Sequence, residues 1–357
     1  MNINNKYNFV INLKRNRKLI FEKRKLKKLE KNKIRIRLKK VGVCASDFPR
    51  AYLGEAYSYP LVMGHEMAGE IYQSNYKKYK VKEKVSIFPL IPCKICQSCK
   101  KNDFVHCHSY SYYGSRVDGG FAKFIDVYPW NIFKLPKKVK LSDAFAMEPA
   151  AVALNTVNKT FYKKPKINQK VLVVGSGFIG QMIMRIIKIK FKKINLTILD
   201  RNRHKLNLSP KKTRKFLISQ KTDLEKFVKN KMNFFDYVIE TTGSSDLITH
   251  SIKLLNHNGI LTLMGNINSD VNIKKNLVNQ ILRKEVKILG IWNSKFDKTN
   301  NDDWTDVLKL LKKGFKPSNL VSHWIKLDET PKYLRKIFEH KKSLKKFKFL
   351  KLVISND

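Results

Sequence analysis

Hydrophobic and polar positions follow two different patterns along this chain of 357 residues. Near the N-terminus, Ile34, Ile36 and Leu38 alternate with basic residues, which is the period of a strand with one buried face. From about residue 170 the apolar runs become continuous, and the run 171–174 precedes a glycine-rich turn and an apolar helix, 181–190. Continuous apolar runs are typical of parallel strands that are buried on both faces.

Strand and helix signals then alternate as far as residue 291. Because alternating strands and helices build a parallel sheet covered on both faces, we predict an α/β protein with a doubly wound Rossmann domain over 156–291. Residues 1–155 contain many short apolar runs with Gly and Pro, which predicts an irregular, β-rich domain that carries loops. The tail, 292–357, has mixed signals, with a helix near 304–311 and a last strand near 350–354. The other predicted strands are 196–199, 237–240, 260–264 and 286–289.

The charge of the chain is unusual, with 74 Lys plus Arg against 28 Asp plus Glu and a formal net charge of +46. Such a field attracts nucleic acid and anionic membranes. The basic residues are not gathered on one face, however, and Lys, Asn and Ile are abundant even in segments typical of enzymes. We therefore attribute the charge to compositional drift and expect no nucleic-acid partner. The charged run 21–33 is expected to be solvated, with a nucleic-acid arm as the alternative.

The cysteines and the N-terminus indicate a compartment. Four of the five cysteines form one tight cluster, which indicates metal binding in a reducing environment rather than a disulfide framework. Residues 1–8 are polar and no apolar core follows them, so we expect no signal peptide. We also expect no membrane span, because the chain has no run of about 18 apolar residues. These expectations together predict a cytoplasmic protein.

The cysteine cluster, with spacings of two, two and seven residues, is the strongest metal signature. Four thiolates at this spacing can surround one zinc and leave no open position, so the zinc would only hold the loop in shape. An iron–sulfur cluster is the alternative, because three of its thiolates often share the two-residue spacing. The neighbouring His106 and His108 are expected to be bystanders. The four residues, in a lobe over 88–110, are Cys93, Cys96, Cys99 and Cys107.

A second candidate metal site lies in the loop-rich stretch from Cys44 to Glu66. Cys44 offers a thiol, His65 an imidazole and Glu66 a carboxylate, and zinc binds all three kinds of donor. A catalytic zinc has three protein ligands and keeps a fourth position open. Taken alone, the stretch is equally well explained by a buried thiol and an unrelated His-Glu pair. The cysteine cluster and a dinucleotide fingerprint in the same chain favour the metal site.

That fingerprint is Gly175-x-Gly177-x-x-Gly180, placed between a predicted strand and a predicted helix. The first glycine allows a tight turn, the second lets the backbone approach a pyrophosphate, and the third lets helix and strand pack closely. Asp200 ends the next predicted strand, where a carboxylate binds the ribose of NAD and repels the 2′-phosphate of NADP. Arg201 follows directly and can weaken that preference. A glycine turn that binds no nucleotide is the structural alternative.

Together these motifs resemble the medium-chain, zinc-dependent alcohol dehydrogenase family, specifically its polyol dehydrogenase branch and the galactitol-1-phosphate 5-dehydrogenase group within it. The resemblance implies a GroES-like, β-rich catalytic domain, to which 292–357 return, plus the Rossmann domain. One departure is Asn155, since the family usually has His at that position. Besides the cysteine cluster and the fingerprint, the matching segments are 42–50, 59–60, 64–66, 88–93, 114–116, 118–122, 148–149 and 281–285.

The resemblance also implies roles for individual residues around a catalytic zinc. Glu66 would lie beside the zinc or exchange with the third ligand, Asp47 would hold the imidazole, and Ser46 would pass the substrate proton toward water. Without the resemblance, Glu148 reads more readily as a helix-start acid next to Pro149. The implied zinc ligands are Cys44, His65 and Glu148.

The implied activity is oxidation of a secondary hydroxyl of a polyol or polyol phosphate of the galactitol 1-phosphate type, with NAD and two zinc ions per chain. A sorbitol- or threonine-type dehydrogenase is the alternative within the family, and a basic nucleic-acid-binding protein on a retired dehydrogenase fold is the alternative outside it. The resemblance implies a small-molecule substrate and a homo-oligomer, either a dimer or a tetramer. The expected cofactor contacts are Gly175, Gly177, Phe178, Ile179, Gly180, Asp200, Arg201, Thr242, Gly243 and Gly265.

Overall fold

The computed structural model describes residues 6–342 and 348–356, so the first five residues of the polar N-terminal stretch lie outside the described part. The chain divides into two compact units. The first unit is Met1–Pro149 with Lys295–Asp357, and the second unit is Ala150–Ser294. No helix within the described ranges is long and apolar enough to cross a membrane.

Eighteen strands occur in the described part of the chain. They are β1 (Tyr7–Leu13), β2 (Leu19–Lys25), β3 (Ile34–Gly42), β4 (Leu61–Val62), β5 (Glu66–Ser74), β6 (Lys84–Ile87), β7 (Leu90–Ile91), β8 (Ser111–Tyr112), β9 (Phe124–Val127), β10 (Ile132–Lys134), β11 (Lys170–Val174), β12 (Asn195–Asp200), β13 (Arg214–Leu217), β14 (Phe235–Glu240), β15 (Leu255–Leu263), β16 (Lys287–Gly290), β17 (His323–Ile325) and β18 (Leu352–Ser355).

Eleven α-helices and three short 3-10 helices accompany these strands in the same described ranges. The α-helices are α1 (Asp47–Tyr52), α2 (Gln97–Lys100), α3 (Leu141–Ala144), α4 (Met147–Thr160), α5 (Phe178–Lys190), α6 (Arg203–Asn207), α7 (Lys221–Asn230), α8 (Ser245–Leu254), α9 (Lys275–Lys284), α10 (Asp303–Lys312) and α11 (Thr330–Lys342). The 3-10 helices are Phe104–His106, Pro129–Asn131 and Pro317–Leu320.

The first unit is built around a seven-stranded sheet in which β3 pairs with β5, β9 and β18. The alternation predicted for β3 is present, because Ile34, Ile36 and Leu38 are fully buried. Arg35, on the other side of the strand, is nearly buried as well, and its guanidinium pairs with Asp126 at 2.7 Å. A buried guanidinium is costly unless it is paired, so Arg35 needs this carboxylate.

Part of the charged run 21–33 forms a strand. The prediction of a solvated segment did not include any secondary structure there. The first residues of the run belong to β2, which pairs with β1 in an antiparallel hairpin. Phe21 stacks on Phe9 with 5.7 Å between ring centroids, although Phe21 is largely exposed. The cross-strand aromatic pair explains why so polar a sequence forms a strand here.

The second unit is a six-stranded parallel sheet with the order β13-β12-β11-β14-β15-β16. All five strand pairs are parallel, and helices connect the strands. The predicted α/β class, with a GroES-like β-rich domain and a doubly wound Rossmann domain, is confirmed. Helix α5 begins at Phe178, three residues earlier than the apolar pattern indicated. In register, Val174 lies opposite Leu199 and Glu240, so the residues after three neighbouring strands share one edge of the sheet.

Candidate active site

Cys44 is placed by a tight turn between β3 and α1. The strand ends at Gly42, and the Cys44 amide donates to Asp47 Oδ2 at 2.8 Å. The Asp47 amide donates back to the Cys44 carbonyl at 3.2 Å. Asp47 is fully buried, so these reciprocal bonds satisfy the backbone of the turn and fix the direction of the thiol.

His65 reaches Cys44 because β3 and β5 are paired. Gly42 lies opposite Glu66 in the register, so the end of one strand meets the start of the other. Gly64 has a φ of +93°, which lets the chain turn into β5 just before the imidazole. As a result, one donor atom each from Cys44, His65 and Glu66 lie within 4.8 Å of one another.

Glu66 is held by a buried lysine. Lys351 Nζ lies 2.6 Å from Glu66 Oε1 and 2.5 Å from Oε2, and it also donates to the Val43 carbonyl at 2.9 Å. The two side chains are only 4% and 1% exposed. A Cβ at Gly42 would collide with the same carboxylate, so only glycine leaves room for it. The pair fixes Glu66 beside the thiol and the imidazole.

Glu148 lies near this group but is not one of the three clustered donors. It is in the first turn of α4 and is 7% exposed. The Tyr112 hydroxyl donates to Glu148 Oε1 at 3.2 Å. Burial, together with the charge of Glu66, raises the pKa of Glu148 to about 7 against the opposing influence of His65. Two buried carboxylates therefore face the same small space, and Glu66 is the one nearer to Cys44 and His65.

The environment of His65 indicates an excess of negative charge. Burial alone lowers the pKa of His65, but the negative charges of Cys44, Asp47 and Glu148 outweigh it and raise the pKa to about 10. His65 Nδ1 is buried without a hydrogen-bond partner among the described residues, and Asp47 Oδ1 lies 3.8 Å away, at ion-pair distance. A thiolate, an imidazole and carboxylates in one buried space fit a divalent zinc, which takes these donors and neutralises their charge.

Ser46 occupies the N-cap position of α1 without a side-chain capping hydrogen bond, and its hydroxyl accepts a hydrogen bond from elsewhere. Arg50 Nη1 donates to Ser46 Oγ at 2.9 Å and lies 3.5 Å from Asp47 Oδ1. A hydroxyl has two acceptor sites and one proton. With one acceptor site occupied by Arg50, Ser46 can accept a proton at the other site and release its own.

The four cysteines of the lobe over 88–110 converge, with Sγ atoms within 4.8 Å of one another. The Cys93 amide donates to the Cys107 sulfur at 3.2 Å, and the Cys96 amide donates to the Cys93 sulfur at 3.4 Å. His106 instead pairs with Asp103 at 2.8 Å. Four sulfur donors and no other ligand fit a closed structural zinc site.

The glycine fingerprint has the geometry that a nucleotide turn requires. Gly175 has a φ of +98°, and a Cβ at Gly180 would collide with the Gly175 carbonyl. A Cβ at Gly177, by contrast, would meet no atom within 4 Å. The space beside Gly177, at the N-terminus of α5, is therefore open to an anion such as a pyrophosphate.

The remaining expected cofactor contacts lie at the same edge of the sheet. Asp200 accepts from the Ser176 amide at 2.5 Å and from the Asn202 amide at 2.7 Å, which fixes its carboxylate beside the fingerprint turn. Arg201 is exposed. In the next loop, the Glu240 carboxylate accepts from the Gly243 amide at 2.9 Å. Thr242, two residues after Glu240, donates its amide to the same carboxylate at 2.7 Å, and a Cβ at Gly265 would collide with the Gly243 amide.

Sequence reasoning missed two residues of the site. Tyr112 and Lys351 contact Glu148 and Glu66, respectively. A lysine inside the apolar run 349–354 was the available signal for Lys351, because a buried ammonium requires a partner. Asn155, the departure from the family pattern, donates to the Asn293 carbonyl at 2.8 Å within the second unit.

Two family descriptions match the chain. "Alcohol dehydrogenase GroES-like domain" matches residues 30–137, and "Glucose dehydrogenase C-terminus" matches residues 143–344, more than half of the chain. The chain belongs to the zinc-dependent, medium-chain alcohol dehydrogenase family. This match confirms the predicted family membership. At the level of the family, it also confirms the dehydrogenase activity with alcohols or polyols and the zinc and nicotinamide cofactors.

Individual relatives agree with this family. Galactitol 1-phosphate 5-dehydrogenase of Escherichia coli K12 is 27% identical over 285 residues, which are 78% of this chain and 81% of the relative. L-threonine 3-dehydrogenase of Vibrio parahaemolyticus is 25% identical over 308 residues, 84% and 86% of the two chains. The crystal structure of the E. coli galactitol-1-phosphate dehydrogenase has a TM-score of 0.82 at 22% identity, and the match covers 98% of this chain and 99% of that one.

Proposed function

We propose that this dehydrogenase oxidises a secondary hydroxyl of a polyol or polyol phosphate, similar to galactitol 1-phosphate, and reduces NAD to NADH. The observation that carries the proposal is the group of Cys44, His65 and Glu66, whose donor atoms lie within 4.8 Å of one another and of which His65 and Glu66 are buried. Its mixed donors suit a catalytic rather than a structural zinc. The greater similarity to galactitol 1-phosphate 5-dehydrogenase than to threonine dehydrogenases supports the choice of substrate.

In this proposal, Cys44 and His65 would hold the zinc with one carboxylate as the third ligand. Glu148 would supply that carboxylate while Glu66 stays paired with Lys351, and Glu66 would supply it if this ion pair opened. Bound zinc acts as a Lewis acid that lowers the pKa of a coordinated alcohol. The lobe cysteines hold a second zinc and take no part in the reaction.

The residues of the first unit handle the proton. The substrate hydroxyl releases its proton to Ser46 Oγ, which passes its own proton to water. Arg50 keeps Ser46 oriented through its 2.9 Å hydrogen bond. The hydride from the same carbon goes to NAD, so that alcohol and NAD give ketone, NADH and one proton. Asp200, at the ribose position of the fingerprint, favours NAD over NADP.

Steady-state formation of NADH by the zinc-loaded protein tests the proposal. Galactitol 1-phosphate, galactitol, sorbitol and L-threonine are compared with NAD and with NADP as cofactor. The expected result is reduction of NAD with the galactitol compounds at a higher kcat/KM than with threonine. Turnover of threonine alone would assign the protein to the threonine dehydrogenase type. Absence of turnover with every alcohol would contradict the proposed activity.

A further inference from the structure

Arg116 lies in a tight turn that packs against Gly64, close to the start of β5. The Gly114 amide donates to the Val117 carbonyl at 2.8 Å, and the Arg116 amide donates to the Tyr112 carbonyl at 3.0 Å. Gly114 has a φ of +80°, and a Cβ there would collide with the backbone of Gly64. The turn therefore rests on the residue that precedes His65, and its position is fixed relative to the zinc donors.

The guanidinium of Arg116 is clamped between two aromatic rings. Its Cζ lies 4.2 Å from the ring centroid of Tyr57 and 4.4 Å from that of Tyr110. At these distances both rings make cation–π contacts with the guanidinium, and such contacts use no N–H donor of the planar group. Arg116 is partly exposed, and its side chain has no hydrogen bond or ion pair with another described residue.

Three other arginines of the first unit differ in this respect, although Arg37, 5.0 Å from the Tyr72 centroid, also has a buried Nε without a partner among the described residues. Arg35 pairs with Asp126 at 2.7 Å, and Arg24 pairs with Asp118 at 3.2 Å. Arg50 is engaged by Ser46 and lies beside a buried aspartate. Arg116 thus combines a fixed plane with unsatisfied donors, which is the arrangement that binds a planar or tetrahedral oxyanion through two parallel hydrogen bonds.

Tyr110 and Tyr112 connect this guanidinium to the candidate active site. The ring centroids of Tyr110 and Tyr112 are 6.4 Å apart. Tyr112 lies 5.8 Å from the His65 ring and donates to Glu148 at 3.2 Å. Arg116 is therefore one aromatic ring removed from the residue that touches the zinc donors, a separation that a substrate several carbons long can span.

We propose that Arg116 binds the anionic group of the substrate, a phosphate monoester or a carboxylate carried some carbons away from the oxidised hydroxyl. The inference rests on the proposed function and adds to it the residue that selects anionic polyols over neutral ones. Tyr57 and Tyr110 restrict the orientation of the planar guanidinium. Its two hydrogen bonds to the anion therefore form without a large loss of side-chain freedom. The high positive charge of the chain, +46, adds long-range attraction for such substrates.

Steady-state kinetics of R116Q test this role with galactitol 1-phosphate, L-idonate and galactitol as substrates. A hydrogen bond to a charged group contributes about 1.5–3 kcal/mol, so kcat/KM for the anionic substrate should fall roughly 10- to 100-fold relative to that for galactitol. The loss should lie in KM and not in kcat, because an anchor remote from the reacting carbon binds ground state and transition state alike. R116K should retain part of the preference, since lysine keeps the charge but not the paired donors.

R335Q is the matched control, because Arg335 is a similarly charged residue on α11 with a side chain that is 74% exposed. It should leave the ratio of the two kcat/KM values unchanged. Thermal unfolding of R116Q shows whether the variant folds like the wild type. Calorimetric titration of the protein with galactitol 1-phosphate, without NAD, provides a second readout that does not depend on turnover.

The phosphate and carboxylate substrates separate the two sources of the anion. A loss for galactitol 1-phosphate alone assigns a phosphate site, and a loss for L-idonate alone assigns a carboxylate site. Equal losses for galactitol and galactitol 1-phosphate in R116Q, or no loss for either, would overturn the inference while leaving the proposed dehydrogenase intact. If the wild type oxidises none of the alcohols but binds galactitol 1-phosphate through Arg116, the proposed function fails and the anion site stands.

Discussion

Two groups of metal donors occur in the first unit, and they differ in both composition and surroundings. The lobe over 88–110 offers four sulfur atoms, and Cys93 and Cys96 remain partly exposed. The group around His65 offers one sulfur, one imidazole and two carboxylates, and its carboxylates and imidazole are buried. Both groups are compact, so compactness alone does not distinguish a site that shapes a loop from one that performs chemistry.

The difference lies in how completely each group can satisfy a metal. Four thiolates fill a tetrahedron and exclude further ligands. In the other group, Glu66 is already paired with Lys351 and Glu148 with Tyr112, so each carboxylate has a competing partner. A zinc there would have ligands that can exchange and a position that a substrate can enter. Under the proposed assignment, the donor set and its neighbours distinguish the structural metal site from the reactive one.

Substitution of Cys44 should have the largest effect and tests this comparison directly. C44S should abolish dehydrogenase activity, by roughly a thousandfold or more, because Lewis-acid stabilisation of the alkoxide is worth several kcal/mol. Metal analysis should find one zinc per chain instead of two, and circular dichroism should be that of the wild type. Full activity in C44S with two zinc ions would contradict the assignment of the reactive site.

Loss of the Lys351 ammonium should have the next largest effect, and this effect should be on the stability of the fold. K351M leaves the Glu66 carboxylate buried and unpaired, which typically costs about 3–5 kcal/mol, and chemical denaturation measures that loss. The surface pair of Lys309 and Asp306, with side chains 60% and 42% exposed, supplies the control. K309M should cost less than about 1 kcal/mol, and the double variant K351M/E66Q should recover part of the stability lost in K351M.

Substitution in the cysteine lobe should act on stability and leave chemistry largely intact. C99S removes a buried sulfur donor of the lobe, and we expect a loss of about 2 kcal/mol, or roughly 4–8 °C in Tm. Its zinc content should also fall to one per chain. The folded fraction should keep its kcat within about tenfold, and abolished turnover in a folded C99S protein would erase the distinction between the two donor groups.

Substitution of Tyr112 should have the smallest effect, and it tests whether Glu148 binds the zinc. Y112F removes the 3.2 Å hydrogen bond to Glu148, which is worth about 1 kcal/mol. Zinc affinity at the reactive site should change by roughly fivefold, as measured by competition with a chelator. An unchanged affinity would indicate that Glu148 is not a zinc ligand, and Glu66 would then be the carboxylate that binds.

Much of this architecture was predictable because its determinants are local. The continuous run 171–174 and the three glycines predict a buried parallel strand followed by a nucleotide turn, and the spacing of the four lobe cysteines predicts their convergence. The positions of Glu66 and Lys351 depend on the pairing of β18 with β3 and of β3 with β5. Such pairings bring together residues 285 positions apart, which no local period encodes.

The contacts of Arg116 with Tyr57 and Tyr110 could not be predicted from the sequence for a related reason. A phosphate-bearing substrate would suit basic residues such as Arg50 or Arg116, but lysines and arginines occur throughout the chain. Only the fold shows that Arg50 is engaged by Ser46 and that Arg116 lies between Tyr57 and Tyr110. The sheet of the second unit, by contrast, contains all five strands that its apolar runs predicted, together with the edge strand β13, which was not predicted, an earlier start of β15 and a start of α5 that differs by three residues.

The visible absorption spectrum of the cobalt-substituted protein tests most directly whether the group around His65 holds a metal open to substrate. Cobalt(II) occupies tetrahedral zinc sites and, unlike zinc with its filled d shell, absorbs visible light. Addition of galactitol 1-phosphate should shift the absorption bands of the wild type and of C99S, and it should leave those of C44S unchanged. Bands that do not respond in the wild type, or that respond equally in C44S, would contradict an open metal site at Cys44 and His65.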